Sequence, residues 1–242
     1  MNHPADSYYL YDETILLEQL SILQKAFPQC RLFYSAKTNP NKHILKTLTG
    51  HGCGIDAASA HEVLLAAGLH LSAGDISYSA PGKTKEDIEE TLGRCRIVAD
   101  SLSELKRIDA AAKERGIIAD ISLRINPDFG MYETSGTPSP FGIDEENLPE
   151  ALSCIAGLPN LRATGIHVHI RSQILDSLVL ARYFENVFRL AEKMQSAGFA
   201  VRVINFGSGL GIVYDPAAER PLDMQMLSAK MAELTEKYNT SL

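Results

Sequence analysis

RLFYSAKTNPNKHILKTLTGHGCGIDAASAHEVLLAAG, residues 31–68, carries the reading of the fold. RLFYSA (31–36) is a short apolar run of strand type, and ILKTLTGHG after Asn41 spaces apolar residues at i, i+3 and i+4 as an amphipathic helix does. GIDA (54–57) is then a second strand and VLLAAG a second helix. The alternation continues through DISYS (75–79), RIVAD (96–100), ADISLRI (119–125), TGIHVHI (164–170) and VRVINF (201–206), which makes seven strands. Strand–helix alternation implies parallel pairing and right-handed crossovers, and so a doubly wound sheet or a (β/α)8 barrel. Polar residues at nearly every strand's C-terminal end favour the barrel, where that rim carries the site.

Helix boundaries are marked. Ser59-x-x-Glu62 and Ser101-x-x-Glu104 have the form of capping boxes, and glycines at 50, 68, 116 and 198 suit C-terminal stops. Eight strands close such a barrel, but only seven precede the helical stretch at 222–238. The expectation is one incomplete barrel domain over residues 1–242, with no second domain. The segment 129–147 is long and rich in Gly, Pro, Ser and Thr, as a mobile or site-covering loop would be.

At 242 residues, 45% hydrophobic and 22% charged, the chain has the length and composition of a soluble globular protein with a full core. The net charge of −7 is mixed along the chain, which gives no footprint for nucleic acid or an anionic membrane and leaves a small molecule as the expected partner. MNHPADSYYLYDE has no basic region followed by an apolar run, and no stretch approaches about 18 apolar residues, so neither a signal peptide nor a membrane span is expected and the location reads as cytoplasmic. Cys30, Cys53, Cys95 and Cys154 form no CxxC pair, so they read as reduced, mostly buried side chains rather than a zinc site or disulfides.

Taken in order, the strand ends offer Lys37, Asp56 with Ser59, Arg124, His167 with His169, and Asn205 before Gly207-Ser208-Gly209-Leu210-Gly211. A lysine at a strand end before Thr38-Asn39-Pro40 is placed either to snorkel or to point into a cleft, where desolvation favours the neutral amine that condenses with an aldehyde cofactor. The glycine cluster suits a phosphate held by backbone amides. A dinucleotide fingerprint belongs in the first βαβ unit, and this one follows the seventh strand. Only one of His167 and His169 is expected to look into the barrel mouth, so no metal site is assigned.

FYSAKTNPN, GIDAASAHEV, SLRINP, GIHVHIRSQ and INFGSGLGI, in that order, resemble the fold type III pyridoxal-phosphate-dependent decarboxylases, the diaminopimelate, ornithine and arginine decarboxylase group. The likeness extends from about Tyr8 to the end of the chain and is strongest toward the diaminopimelate branch and its siderophore-pathway relatives. It implies an alanine racemase-like barrel and pyridoxal 5′-phosphate as cofactor. Lys37 would hold the cofactor as a Schiff base, and His169 would stack on its pyridine face. Ser172 and the Gly207, Ser208, Gly209 turn would bind its phosphate, and Arg124 would lie near its ring oxygen. Asp56 and Glu62 match acidic positions near the lysine, with capping as the alternative duty of Glu62. His167 reads as a core or supporting residue. The implied reaction is decarboxylation of an amino acid, with racemisation on the same barrel or a non-catalytic partner subunit as alternatives.

Three local departures from the family pattern stand out: Arg171 where glycine is usual, Ser208 within the usual triple glycine, and Pro140 where the diaminopimelate branch commonly has lysine. An arginine at 171 would either add a phosphate contact or crowd the cofactor's space. The relatives continue into an eighth strand and a C-terminal β-domain. The chain is thus expected to be a fragment, half of a split enzyme or a degenerate homologue, associating as a homo-oligomer or with a complementing C-terminal polypeptide through exposed sheet edges.

Overall fold

A computed structural model describes residues 8–133 and 135–239; the first seven residues of the N-terminus read above lie outside it. All seven expected strands form, as β1 (Phe33–Ser35), β2 (Gly54–Ala57), β3 (Ile76–Tyr78), β4 (Arg96–Ala99), β5 (Ala119–Asn126), β7 (Leu161–His167) and β8 (Val203–Asn205). A two-residue β6, Ile143–Asp144, sits inside the long loop and pairs with β5, and the sequence pattern gave no sign of it. The strands pair in parallel in the order β1-β2-β3-β4-β5-β7-β8, a curled sheet whose two ends are β1 and β8. This is the barrel architecture with seven main strands and an open side.

The helices are α1 (Glu13–Ala26), α2 (Lys42–Gly50), α3 (Ala60–Ala67), α4 (Lys85–Thr91), α5 (Leu102–Glu114), α6 (Leu148–Ala156), α7 (Ser177–Ser196) and α8 (Met224–Asn239). Their starts follow local chemistry: the hydroxyls of Ser59 and Ser101 accept from the amides of Glu62 and Glu104. The return bonds differ from the expected boxes. The Glu62 and Glu104 carboxylates reach Ala58 N and Asp100 N, one residue before the cap. Of the four expected glycine stops, Gly116 (φ 63°) and Gly198 (φ 92°) take the left-handed conformation. Gly50 and Gly68 do not; Gly52 (φ 84°) and His70 (φ 63°) make those reversals instead.

The inner strands bury apolar residues outward against the helices, for example Ile121, Leu123 and Ile125 of β5, whereas the edge strands β1 and β8 have no fully buried residue. The longest helix, α7, buries Tyr183, Phe184, Val187 and Phe188, and each such side chain contributes on the order of 1.5–3 kcal/mol of burial. An aromatic run crosses the open side: Phe27 meets Phe184 at 6.4 Å, Phe184 meets Phe206 at 5.6 Å, Phe206 meets Phe188 at 5.3 Å, and Phe188 stacks on Tyr238 at 5.2 Å. The ends of α1, α7, β8 and α8 are thereby packed together. Cys53 and Cys95 are buried, whereas Cys30 and Cys154 are half-buried, so the cysteines are less enclosed than expected; all four are free thiols. Among the described residues no helix is long and apolar enough to cross a membrane.

Candidate active site

Side-chain parity along a strand decides what the inside of the curl holds. Register places Asp56 beside Ser35 and Ser77, and Arg124 beside His167, which is itself beside Asn205. The inward column is therefore polar and converges on the C-terminal rim.

Lys37 lies in a single 3-10 turn, Ala36–Thr38, that β1 enters directly. Thr38 Oγ1 donates to Ser35 O at 2.8 Å and lies 3.0 Å from Tyr34 Oη, and Asn39 Oδ1 accepts from Asn41 N at 3.1 Å, which fixes the turn. The lysine itself is exposed, contrary to the expected desolvated strand end: the turn lifts it clear of the sheet. No hydrogen bond or ion pair engages its amine among the described residues. Its charge nevertheless acts on Asp56, His167 and His169, so the four lie close together.

Asp56 is held by the Ser79 hydroxyl at 2.8 Å. Burial raises its pKa, and the Ser79 hydrogen bond and the Lys37 charge offset part of that rise. Glu62 adds a weaker raising effect, but its carboxylate is engaged by the Ala58 amide at 2.8 Å, the structural duty that Ser59 shares. Arg124 is 9% exposed; its Nη1 lies 3.6 Å from Asp100 Oδ1, and its guanidinium sits 4.8 Å from the ring centre of Phe141. That contact comes from the long loop, which thus covers the Arg124 side of the mouth, as its length suggested.

His167 and His169 both lie on the inward side, because a spacing of two returns to the same face. The expectation that only one faces the mouth was a mistaken application of strand parity; depth is what separates them. His167 is 6% exposed, and its Nδ1 has no hydrogen-bond partner among the described residues. His169 stands at the rim with Nδ1 2.9 Å from Gly207 O and Nε2 3.2 Å from Ser172 Oγ. A carbonyl oxygen only accepts, so Nδ1 carries the proton and Nε2 accepts from the serine. Burial lowers the pKa of His169 despite the Gly207 carbonyl, and Arg124 and Lys37 lower it further, so the ring is neutral near pH 7.

Burial, with Arg124 next, pushes His167 down to about 3. A histidine that stays neutral when folded but protonates near 6.5 when unfolded lets the unfolded state bind more protons between those values, so stability is complete above about pH 6.5 and falls as pH drops. Between pH 7 and 5 this residue alone should cost about 2 kcal/mol. His167→Gln should flatten the acid side of a melting-temperature profile; an unchanged slope would show that His167 is not buried as a neutral ring.

After β8, Asn205 Oδ1 accepts from Gly207 N at 2.9 Å and bends the chain into three consecutive positive-φ residues: Gly207 (57°), Ser208 (45°) and Gly209 (85°). A Cβ on Gly207 would lie 2.5 Å from Val168 O and 2.6 Å from the His169 Cβ, and one on Gly209 would lie 2.5 Å from Arg171 O. The two glycines let the turn press against the Val168–Ser172 segment. Ser208 occupies the same left-handed region with a side chain, which costs an L-residue about 1–2 kcal/mol. Ser208→Gly should therefore raise stability by up to ~1 kcal/mol once glycine's extra unfolded freedom is counted, read as a rise in denaturation midpoint. The Arg171 guanidinium lies 5.8 Å from the Tyr132 ring centre, directed at the long loop, while its backbone packs on Gly209.

Sequence reasoning missed four contributors: Ser79, Asp100, Phe141 and Tyr183. Asp100 ends the RIVAD run, so its position at a strand's C-terminus was a usable signal. Tyr183 gave none; from α7 its hydroxyl lies 2.8 Å from Val168 O and 2.5 Å from Phe206 O, tying together the strand ends that carry His169 and Gly207.

An open-ended polar rim with a free lysine, a neutral histidine and a glycine-lined turn on a parallel barrel sheet matches known proteins. The chain belongs to the pyridoxal-dependent decarboxylases: the model of their pyridoxal-binding domain matches residues 14–241. It is 30% identical over 241 residues to the diaminopimelate decarboxylase of Aquifex aeolicus, covering 97% of this chain and 57% of that one. It is 29% identical to the L-glutamyl-[BtrI acyl-carrier protein] decarboxylase of Niallia circulans, covering 95% of this chain and 55% of the relative. The structure of Helicobacter pylori diaminopimelate decarboxylase complexed with L-lysine superposes with a TM-score of 0.85 at 26% identity, covering 95% of this chain and 60% of that one. The chain thus spans little more than half the length of these relatives.

The residues present fit pyridoxal phosphate. The close approaches at Gly207 and Gly209 leave a turn of backbone without side chains at those two positions, next to the Ser172 hydroxyl, and an unengaged amine stands nearby at Lys37.

Proposed function

We propose that this chain is the cofactor-bearing barrel of an amino-acid decarboxylase of the diaminopimelate decarboxylase kind, with Lys37 as the amine that carries pyridoxal phosphate. The observation that carries this reading is the contrast between Lys37 and Lys83. Lys83 is 2% exposed and spends its amine on three acceptors, whereas the Lys37 amine is exposed and unengaged beside Asp56 and His169. When bound, the cofactor takes up the electron pair released as a substrate carboxylate leaves as carbon dioxide.

The chain's own groups do the rest. His169, neutral and fixed at both nitrogens, presents a ring of set orientation at the mouth. Asp56 offers a carboxylate close enough to the lysine for the Lys37 charge to act on it. Arg124 supplies a cation held by Asp100, Ser172 a hydroxyl, and the 207–209 turn a backbone surface for the phosphate. Of the long loop, Phe141 lies against Arg124 and Tyr132 against Arg171, so both rings flank the mouth.

The same reading makes the substrate a diamino acid, with or without a second carboxylate, because the relatives named above include diaminopimelate decarboxylases. It also makes the location cytoplasmic and residues 1–242 one barrel domain. The β1 and β8 edges support association with a second copy or a complementing polypeptide, and sedimentation at micromolar concentration should show species heavier than 26.5 kDa. A single monomeric species would argue against it. Carbon dioxide release from a panel of L-amino acids, with the chain saturated in pyridoxal phosphate and in its natural assembly, tests the reaction. Racemisation without carbon dioxide would overturn the decarboxylase assignment.

A further inference from the structure

Beneath the rim, between β3 and β4, lies a buried ion pair that no step above uses. Lys83, in the loop before α4, and Glu104, in the first turn of α5, are 2% and 1% exposed, with Nζ and Oε2 3.1 Å apart. The Lys83 amine has three protons and meets three acceptors: Ala80 O at 2.5 Å, Val98 O at 2.7 Å and Glu104 Oε2. Glu104 is equally occupied, since Oε1 accepts from Lys83 N at 3.2 Å and Oε2 from Asp100 N at 2.7 Å. The pair therefore grips β4 at two points, the carbonyl of Val98 and the amide of Asp100.

What those two points enclose is the segment that presents the Asp100 carboxylate to Arg124. That carboxylate cannot place itself. Oδ1 is buried with no hydrogen-bond partner among the described residues, and its ionic neighbour Arg124 is 3.6 Å away. A side chain anchored by one long contact takes its position from its backbone, and here the backbone is clamped by Lys83 and Glu104. A buried ion pair is weak evidence for stability alone, because well-packed apolar side chains often serve as well. A role in placement accounts for both of its charges.

We propose that Glu104, balanced by Lys83, is a positioning residue for the active site, acting through the Asp100 amide to hold the Asp100 carboxylate on Arg124. The proposal rests on the reading of Arg124 as a cofactor contact. Arg124 is the residue read as the cofactor contact and Asp100 pairs with it; Glu104 and Lys83 act through them.

The test compares wild type, Glu104→Gln, Asp100→Asn and the double variant by two measurements. One is the dissociation constant for pyridoxal phosphate from its visible absorbance. The other, made without ligand, is the Arg124 Nε–H resonance together with Asp100 amide exchange. Each single variant should weaken cofactor binding by about tenfold, and the double variant should bind no more than about twofold worse than Asp100→Asn, because both remove one chain of contacts. The Arg124 resonance should broaden in Glu104→Gln. Leu234→Ala, a buried change on α8, away from the β4 and α5 elements that hold the clamp, should lower the melting temperature while leaving both readouts at wild-type values. If Glu104→Gln does not fold, Glu104→Asp, which keeps the charge but falls one methylene short of the Asp100 amide, carries the same comparison. Unchanged affinity and an unchanged Arg124 signal in a variant that merely melts earlier would overturn the proposal, as would fully multiplicative effects in the double variant. If wild type binds no cofactor, the functional reading fails, and the ligand-free signal still decides whether Glu104 positions Arg124.

Discussion

Lys37→Ala is expected to abolish covalent attachment of pyridoxal phosphate. Borohydride reduction of the wild-type complex should leave one equivalent of label on the tryptic peptide spanning residues 32–42, because modification of Lys37 blocks cleavage after it. The variant should carry none there, and any decarboxylase activity of the natural assembly should fall by roughly 10³-fold or more, equivalent to about 4 kcal/mol of lost transition-state stabilisation. The reasoning is geometric. Lys83 is saturated by Ala80, Val98 and Glu104 and cannot substitute without breaking a buried ion pair. Label on Lys83, or on no peptide, would remove the basis of the functional assignment.

Gly207→Ala should be the most damaging small change at the site. The added methyl must adopt φ 57° and lies 2.5 Å from Val168 O and 2.6 Å from the His169 Cβ, neither of which can retreat while Tyr183 holds the Val168 carbonyl. The left-handed conformation costs about 1–2 kcal/mol and the overpacking about 1–3 kcal/mol, for a loss of roughly 2–5 kcal/mol. For a chain of this length that is a fall of roughly 5–15 °C in melting temperature. The His169 ring should lose its Gly207 carbonyl contact, so cofactor affinity should fall as well. A variant with wild-type melting and binding would show that the turn has room the geometry denies.

Much of this was legible in the residues. RLFYSA through VRVINF give seven strands because each is an apolar run bounded by helix caps, and that periodicity survives in the fold. Lys37, Asp56, Arg124, His169 and the 207–209 turn were visible as polar interruptions at strand ends. Pairwise relations across the chain were not visible. Asp100 matters because β4 lies beside β5, and Phe141 matters because a two-residue strand folds the long loop back over Arg124. The exposure of Lys37 was misread because the 3-10 turn at 36–38 has no periodic signal of its own. The expectation that His167 and His169 face opposite sides came from miscounting a period of two, not from any silence in the sequence; the reading of His167 as a core residue agrees with its burial.

The open side of the sheet has one further consequence. Lys37 follows β1 and the 207–209 turn follows β8, the two unjoined margins of the curl, while Arg124 and His167 stand on the long paired strands β5 and β7. On the proposed reading, pyridoxal phosphate would be gripped by its aldehyde carbon at one margin and its phosphate at the other, and would act as a rivet across the seam. Loading it should slow amide exchange at both margins far more than in the middle. Its contribution to holding the sheet together grows with the logarithm of its concentration over its dissociation constant.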